Sequence, residues 1–143
     1  MRRRRDDPDR PTGGEMRSAS SGGLELSVER RSTADGEIAV VRAQGEVDLA
    51  NADELAGALG SSTCVQSDGV VIDLLGVPFM DSSGLRVVLV AAGDLEPDLA
   101  VVLSPGSPVL RLFELAEVTD RLPVYATEDE AIDALADRAS DAD

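Results

Sequence analysis

The sequence predicts an α/β domain in which a mostly parallel mixed sheet of about five strands is covered by about four helices. Short apolar runs rich in β-branched residues alternate along the chain with segments whose apolar residues recur at i, i+3, i+4 and i+7. Such alternation requires crossover connections, which put helices on the faces of a largely parallel sheet. The composition agrees: two Phe, one Tyr and no Trp leave the core to Val, Leu, Ile and Ala, side chains that suit packed sheet and helix layers. A chain of 143 residues accommodates one such domain and a tail.

The tail comes first. Residues 1–23 carry six Arg and four acids among Pro, Gly and Ser, without an apolar period. They read as a disordered Arg-rich arm ahead of a domain at 24–143. A translation start at Met16 would remove the run Arg2, Arg3, Arg4 and Arg5 altogether. In the domain, Leu24, Leu26 and Val28 alternate with polar residues as a first strand. After the turn Thr33-Ala34-Asp35-Gly36 a second strand covers residues 38–43, which makes a hairpin at one end of the sheet. Ala52, Leu55, Ala56 and Leu59 form the stripe of a first helix. In the polar stretch 61–68 that follows, Cys64 is expected as an incidental loop or core-edge residue rather than a reactive thiol.

Val70-Val71-Ile72-Asp73-Leu74 then reads as a buried strand ended by Gly76 and Pro78. Leu85, Val88, Leu89 and Ala92 commit one face of the next helix to the core. Residues 99–103 give another buried strand, and Ser104-Pro105-Gly106-Ser107-Pro108 leads into a helix with Val109, Leu112, Phe113 and Ala116 on one face. Residues 122–125 form a short last strand that Pro123 assigns to a sheet edge. Thr127-Glu128-Asp129-Glu130 opens a terminal helix as a capping box with acids in its first turn.

The chemistry is concentrated where the strand at 70–74 gives way to its helix. Phe79-Met80-Asp81-Ser82-Ser83-Gly84-Leu85 puts two hydroxyls in a first helical turn behind Asp81 as N-cap. Backbone N–H groups there lack intrahelical partners and the helix dipole is positive, so a phosphoryl group would be tolerated. Local chemistry leaves two readings open, a simple helix cap and a modifiable hydroxyl. Asp48 and Asp81 likewise read either as turn and cap residues or as a carboxylate pair for metal binding or acid–base work.

Composition weighs against catalysis. The chain has no His, and all 13 of its basic residues are Arg. That excludes a Ser-His-Asp triad, a Walker A lysine, a Schiff-base lysine and a Ser-x-x-Lys pair. No cofactor or metal is expected, since zinc would have to rely on carboxylates and one thiol. Beyond residue 23 seven Arg face 24 acids, a net −17 against +2 in the arm. So negative a body repels nucleic acid and anionic lipid and favours a partner with a basic face, and base stacking is not available to it. A single Cys cannot form an internal disulfide, and neither a signal-peptide core nor an apolar run of membrane-spanning length occurs. A cytoplasmic protein with no membrane partner and no direct nucleic-acid partner is the expectation.

Two segments together resemble the STAS-domain family of anti-sigma factor antagonists. Phe79-Met80-Asp81-Ser82-Ser83-Gly84-Leu85 matches that family's Asp-Ser-Ser/Thr-Gly-Leu turn between strand and helix, and Gly45-Glu46-Val47-Asp48-Leu49-Ala50-Asn51-Ala52 is similar to its Gly-Glu-Hyd-Asp segment joining the second strand to the first helix. The resemblance runs from about residue 24 to 136. It implies the STAS fold and a non-enzymatic binding module controlled by phosphorylation. Ser82, with Ser83 as fallback, matches the residue modified by a cognate anti-sigma factor with GHKL-type serine kinase activity. The unmodified form would bind that kinase and free the sigma factor, and a PP2C-type phosphatase would restore it. By the same resemblance Asp48, Asp81, Ser82, Ser83, Gly84, Leu85 and Arg86 belong to the partner surface. Arg86 departs from the best-known members, which carry glycine after the motif's leucine. It reads either as a solvated helix residue or as a donor to an acidic partner group or a phosphate on Ser82. Two other classes stay open, a STAS subunit that docks on the ATPase of an ABC lipid transporter and an enzyme using Asp48, Asp81 and Ser82.

Overall fold

The structure, a computed structural model, describes residues 17–21, 23–94, 98–119 and 122–141. In β2 (Leu24–Thr33) the alternation buries Leu24, Leu26 and Val28. This strand turns at Thr33 into β3 (Gly36–Gln44), with the Thr33 hydroxyl donating to the Gly36 carbonyl at 2.9 Å. The hairpin pairs antiparallel in the register Val28 to Val41. From β3 onward the pairing is parallel: β4 (Gly69–Gly76) lies beside it, then β5 (Asp98–Val102), then β6 (Val124–Tyr125). Each parallel step is bridged by helix: α1 (Ala52–Leu59) and α2 (Ser62–Val65), then α3 (Ser82–Asp94), then α4 (Pro108–Leu115). The terminal helix is α5 (Glu128–Asp141).

Two features exceed the sequence expectation. Arg17–Ser21, inside the expected arm, forms β1 and pairs antiparallel with β2, so the sheet has six strands in the order β1-β2-β3-β4-β5-β6 and the hairpin is not at its end. An edge strand offers a row of free backbone N–H and C=O groups, and pairing with it demands no apolar pattern from the added segment. Residues 1–16 and 22 of that arm lie outside the described residues. The polar stretch after α1 contains the single turn α2, where the Ser61 hydroxyl accepts from the Cys64 N–H. Cys64 is wholly buried in the core rather than at its edge, and burial pushes its thiol pKa up.

Side chains on the two faces of the sheet form two cores of unequal size. Val70, Ile72 and Leu74 of β4 join Val41, Leu55, Leu59, Val88, Val101 and Phe113 in the larger one, beneath α1, α3 and α4. Val71, Val40, Ala100 and Val102 meet Ala131, Ile132 and Leu135 of α5 in the smaller one. The caps follow local chemistry. Ser107 accepts from the Leu110 N–H at 3.0 Å ahead of Pro108. Thr127 accepts from the Glu130 N–H at 3.1 Å, while Glu130 reaches back to the Ala126 N–H instead of that of Thr127. β6 lies at one edge of the sheet, as Pro123 implies.

Candidate functional site

Two loops at the C-terminal ends of β3 and β4 build the site, and backbone hydrogen bonds join them. The parallel pairing runs past the strands as a bridge between Val47 and Met80. Gly45 N–H donates to the Gly76 carbonyl at 3.0 Å, Val47 N–H to that of Phe79 at 3.0 Å, and Asp81 N–H to that of Val47 at 3.1 Å. At Gly45, with φ +108°, a Cβ would strike the Gly23 carbonyl, so glycine is needed where the first loop leaves the sheet.

Asp48 sits half-buried in that first loop. Its Oδ1 accepts from the Ala50 N–H at 3.0 Å, an Asx turn, and its carbonyl accepts from the N–H groups of Asn51 and Ala52 at 3.1 and 2.8 Å. Asn51, only 1 % exposed, locks the arrangement: its Oδ1 accepts from the Asp48 N–H at 2.9 Å and its Nδ2 donates to the Glu46 carbonyl at 3.0 Å. The sequence reading places Asn51 in the Gly45–Ala52 segment but not among the site residues. It directly precedes α1, yet its side chain makes no cap bond and serves the loop instead.

In the second loop Asp81 caps α3. Its Oδ1 accepts from the N–H groups of Ser83 at 2.8 Å and Gly84 at 3.4 Å, and its carbonyl accepts from Gly84 and Leu85 at 3.1 and 3.2 Å. Ser82 therefore opens the helix with an exposed side chain, while Ser83 is half-buried. Gly84 and Leu85 are turned inward. A Cβ on Gly84 would lie 2.7 Å from both Met80 Cγ and Val47 Cγ1, and Leu85 belongs to the large core. These two residues position α3 rather than present a surface. Arg86 is exposed one turn beyond the serines.

The sequence-predicted residues thus converge on one end of the sheet, with Asp48 and Ser82 in adjacent, hydrogen-bonded loops. Exposed apolar side chains surround them: Leu49 is 80 % exposed, Phe79 49 % and Val90 51 %. Between α1 and α3 runs a groove of about 460 Å³ floored by small and aliphatic residues such as Ala52, Ala56, Val87 and Ala91. Asp53 stands on its α1 wall, Ser83 and Arg86 on its α3 wall. Exposed apolar groups beside a polar hydroxyl suit a protein interface better than a reaction centre. Among the described residues no group of three His, Cys, Asp or Glu could hold a metal ion, and no helix is long and apolar enough to cross a membrane.

A second polar cluster, unforeseen from the sequence, lies on the α5 face. Arg42 of β3 donates from Nε and NH2 to both oxygens of Glu128, at 2.7 and 2.9 Å, and from NH1 to Glu29 Oε1 at 2.6 Å. Its neighbour in β4 is Asp73, 9 % exposed, whose Oδ1 accepts from the Leu75 N–H at 2.9 Å. Burial, then a hydrogen bond shared with Glu128, pushes Asp73 up to about 6, while the bond to Arg42 holds Glu128 down to about 2. Glu128 starts α5, so the cluster fastens that helix to the sheet.

The STAS domain family model matches residues 29–131. The chain belongs to the STAS domain family. No curated protein matches it in sequence, but solved structures do in fold. An anti-sigma factor antagonist from Mycobacterium paratuberculosis is 27 % identical with a TM-score of 0.66, over 77 % of this chain and 93 % of that one. The anti-sigma factor antagonist SpoIIAA in its unphosphorylated form is 26 % identical with a TM-score of 0.56, over 76 % and 95 %. Both are nearly spanned by this STAS domain, whose two motif loops form the site described above.

Proposed function

We propose that this STAS domain is an anti-sigma factor antagonist switched by phosphorylation of Ser82, with Ser83 as the fallback residue. In the unmodified state it binds an anti-sigma factor that has GHKL-type serine kinase activity, and so frees the sigma factor. The observation that carries this reading is the exposed Ser82 at the start of α3, beside the Asp48 loop and ringed by Leu49 and Phe79. Two antagonists sharing about a quarter of their residues with this chain support it further. No feature of the described surface favours the transporter-subunit alternative.

The chemistry belongs to the partners. The kinase forms a bond from Ser82 Oγ to the γ-phosphorus of ATP as the bond to ADP breaks and the hydroxyl proton leaves. A PP2C-type phosphatase delivers water to the phosphorus, releasing phosphate and returning a proton to Oγ. The STAS domain supplies a hydroxyl and a surface. Phosphorylation adds about −1.5 to −2 charge where an interface had packed around a neutral group, and that interface is lost. Because the α3 N-terminus offsets the charge by roughly 0.3–1 kcal/mol at an exposed position, the domain stays folded. Asp48, Asp81, Ser82, Ser83 and Arg86 are the polar residues of the contact surface, and Gly84 and Leu85 hold it in shape.

Incubation with the cognate anti-sigma factor and ATP, followed by phosphopeptide mass spectrometry, should place one phosphate on Ser82 and none on the Ser82→Ala variant. Labelling that survives in Ser82→Ala moves the site elsewhere, to Ser83 first. An anti-sigma partner that binds the unmodified and modified forms equally well overturns the switch.

A further inference from the structure

Arg86 follows Ser82 by four residues and Ser83 by three, the spacings that bring side chains of one helix face together. Arg30, Arg31 and Arg42 each pair with a carboxylate, whereas Arg86 is exposed and makes no ion pair among the described residues. With Ser83 it lines the α3 wall of the groove, opposite Asp53. The unmodified protein therefore holds out a free guanidinium at the mouth of an apolar groove, on a surface otherwise rich in acids.

That surface poses a problem for any switch that adds negative charge. A partner drawn to a chain of net charge −15 has a basic face, and a bare phosphate would give such a face one more group to bind. Asp81, the acid that caps the same helix, cannot compete for Arg86 at no cost, since its Oδ1 already accepts from two α3 amides. We propose that a phosphoryl group on Ser82 captures Arg86 in cis, removing from the groove the cation that the unmodified protein offers its partner. This rests on the reading of Ser82 as the modified residue. Guanidinium and phosphate meet across one helical turn, by rotation of two exposed side chains and with no backbone movement. Arginine suits the task because its planar fork engages two phosphate oxygens at once. Capture does two things: it masks the phosphate from basic groups of the partner, and it withdraws Arg86 from an acidic one.

The test uses the full chain with phosphoserine inserted at position 82 during translation, so that no kinase is involved. The second ionisation of its phosphate, near pH 6 when unpaired, is followed by phosphorus NMR. It should lie about half a unit or more lower in this protein than in the Arg86→Ala variant, a factor of ~3 in proton affinity, with Arg86→Lys between them. The α3 dipole and Asp81 are common to all three, so the difference isolates the guanidinium. Arg86 is an exposed position, and equal melting temperatures of the unmodified variants will verify that the fold is intact. Superimposable titrations of the arginine and alanine proteins overturn the capture while leaving the Ser82 switch standing. Failure of any kinase to label Ser82 would defeat the switch but leave this titration readable.

Discussion

A side chain at Gly84 would strike Val47 and Met80, the two residues whose bridge joins the loops of the site. Helix propensity alone favours replacing glycine by alanine, by about 0.5–1 kcal/mol. The contact decides otherwise, because a Cβ at 2.7 Å from two packed side chains forces shifts that cost about 1–3 kcal/mol in a filled core. Gly84→Ala is therefore expected to lower the melting temperature by a few degrees, measured by circular dichroism, with Ser82 still exposed. A variant more stable than the parent would show that Met80 and Val47 yield freely. The motif marked Gly84 as special, but the reason was not legible in the sequence, since Val47 reaches it only through the parallel pairing of β3 and β4. Asn51 was hidden for a similar reason: its partners are backbone groups of its own loop, and no side-chain pattern announces a backbone contact.

Elements with a strong period were legible, and those held by backbone pairing or by charge were not. The buried runs of β4 and β5 and the stripes of α1, α3 and α4 follow from the spacing of their apolar residues, whereas β1 and the one-turn α2 have no period to read. The fastening of α5 shows what charge can hide. Asp73 lies in an apolar run and Glu128 looks like an ordinary first-turn acid, yet they meet at Arg42. Their effects on stability run in opposite directions. Glu128, lowered from 4.5 to about 2, contributes stability that is present above pH 4.5 and lost as pH falls through 2. Asp73, raised from 3.8 to about 6, leaves the fold most stable below pH 3.8 with respect to that group, and this contribution is lost as pH rises through 6. Asn mimics the protonated form of Asp73, able to donate to Glu128 while accepting from the Leu75 N–H. Asp73→Asn is then expected to stabilise the domain by about 1–3 kcal/mol above pH 7 and to change it little below pH 4, read from urea midpoints across that range. A loss of stability at pH 8 would mean that the ionised carboxylate supports Arg42 directly.

At the scale of the whole molecule, charge and the proposed switch act over different distances. A net −15 on 143 residues sets a field that steers a basic partner into encounter and fades as salt shortens the screening length to ~10 Å at 0.1 M. One phosphate changes that total to about −17, a small fraction of the field and of the same sign as the attraction. If long-range electrostatics governed the switch, phosphorylation would strengthen association. In the proposed switch, loss of binding would therefore come from the contact itself, from a charge buried against packed side chains and from a missing partner for Arg86, and such effects appear in dissociation. For Ser82→Asp, a partial mimic, the dissociation rate from the anti-sigma factor is expected to rise at least about tenfold while the association rate stays within about threefold of the parent. Both proteins should show the same steep fall in association rate between 0.05 and 0.5 M salt, roughly tenfold or more. Stopped-flow measurement of the two rates against ionic strength separates the alternatives. A drop confined to the association rate would assign the switch to the field of the molecule and remove it from the Ser82 contact.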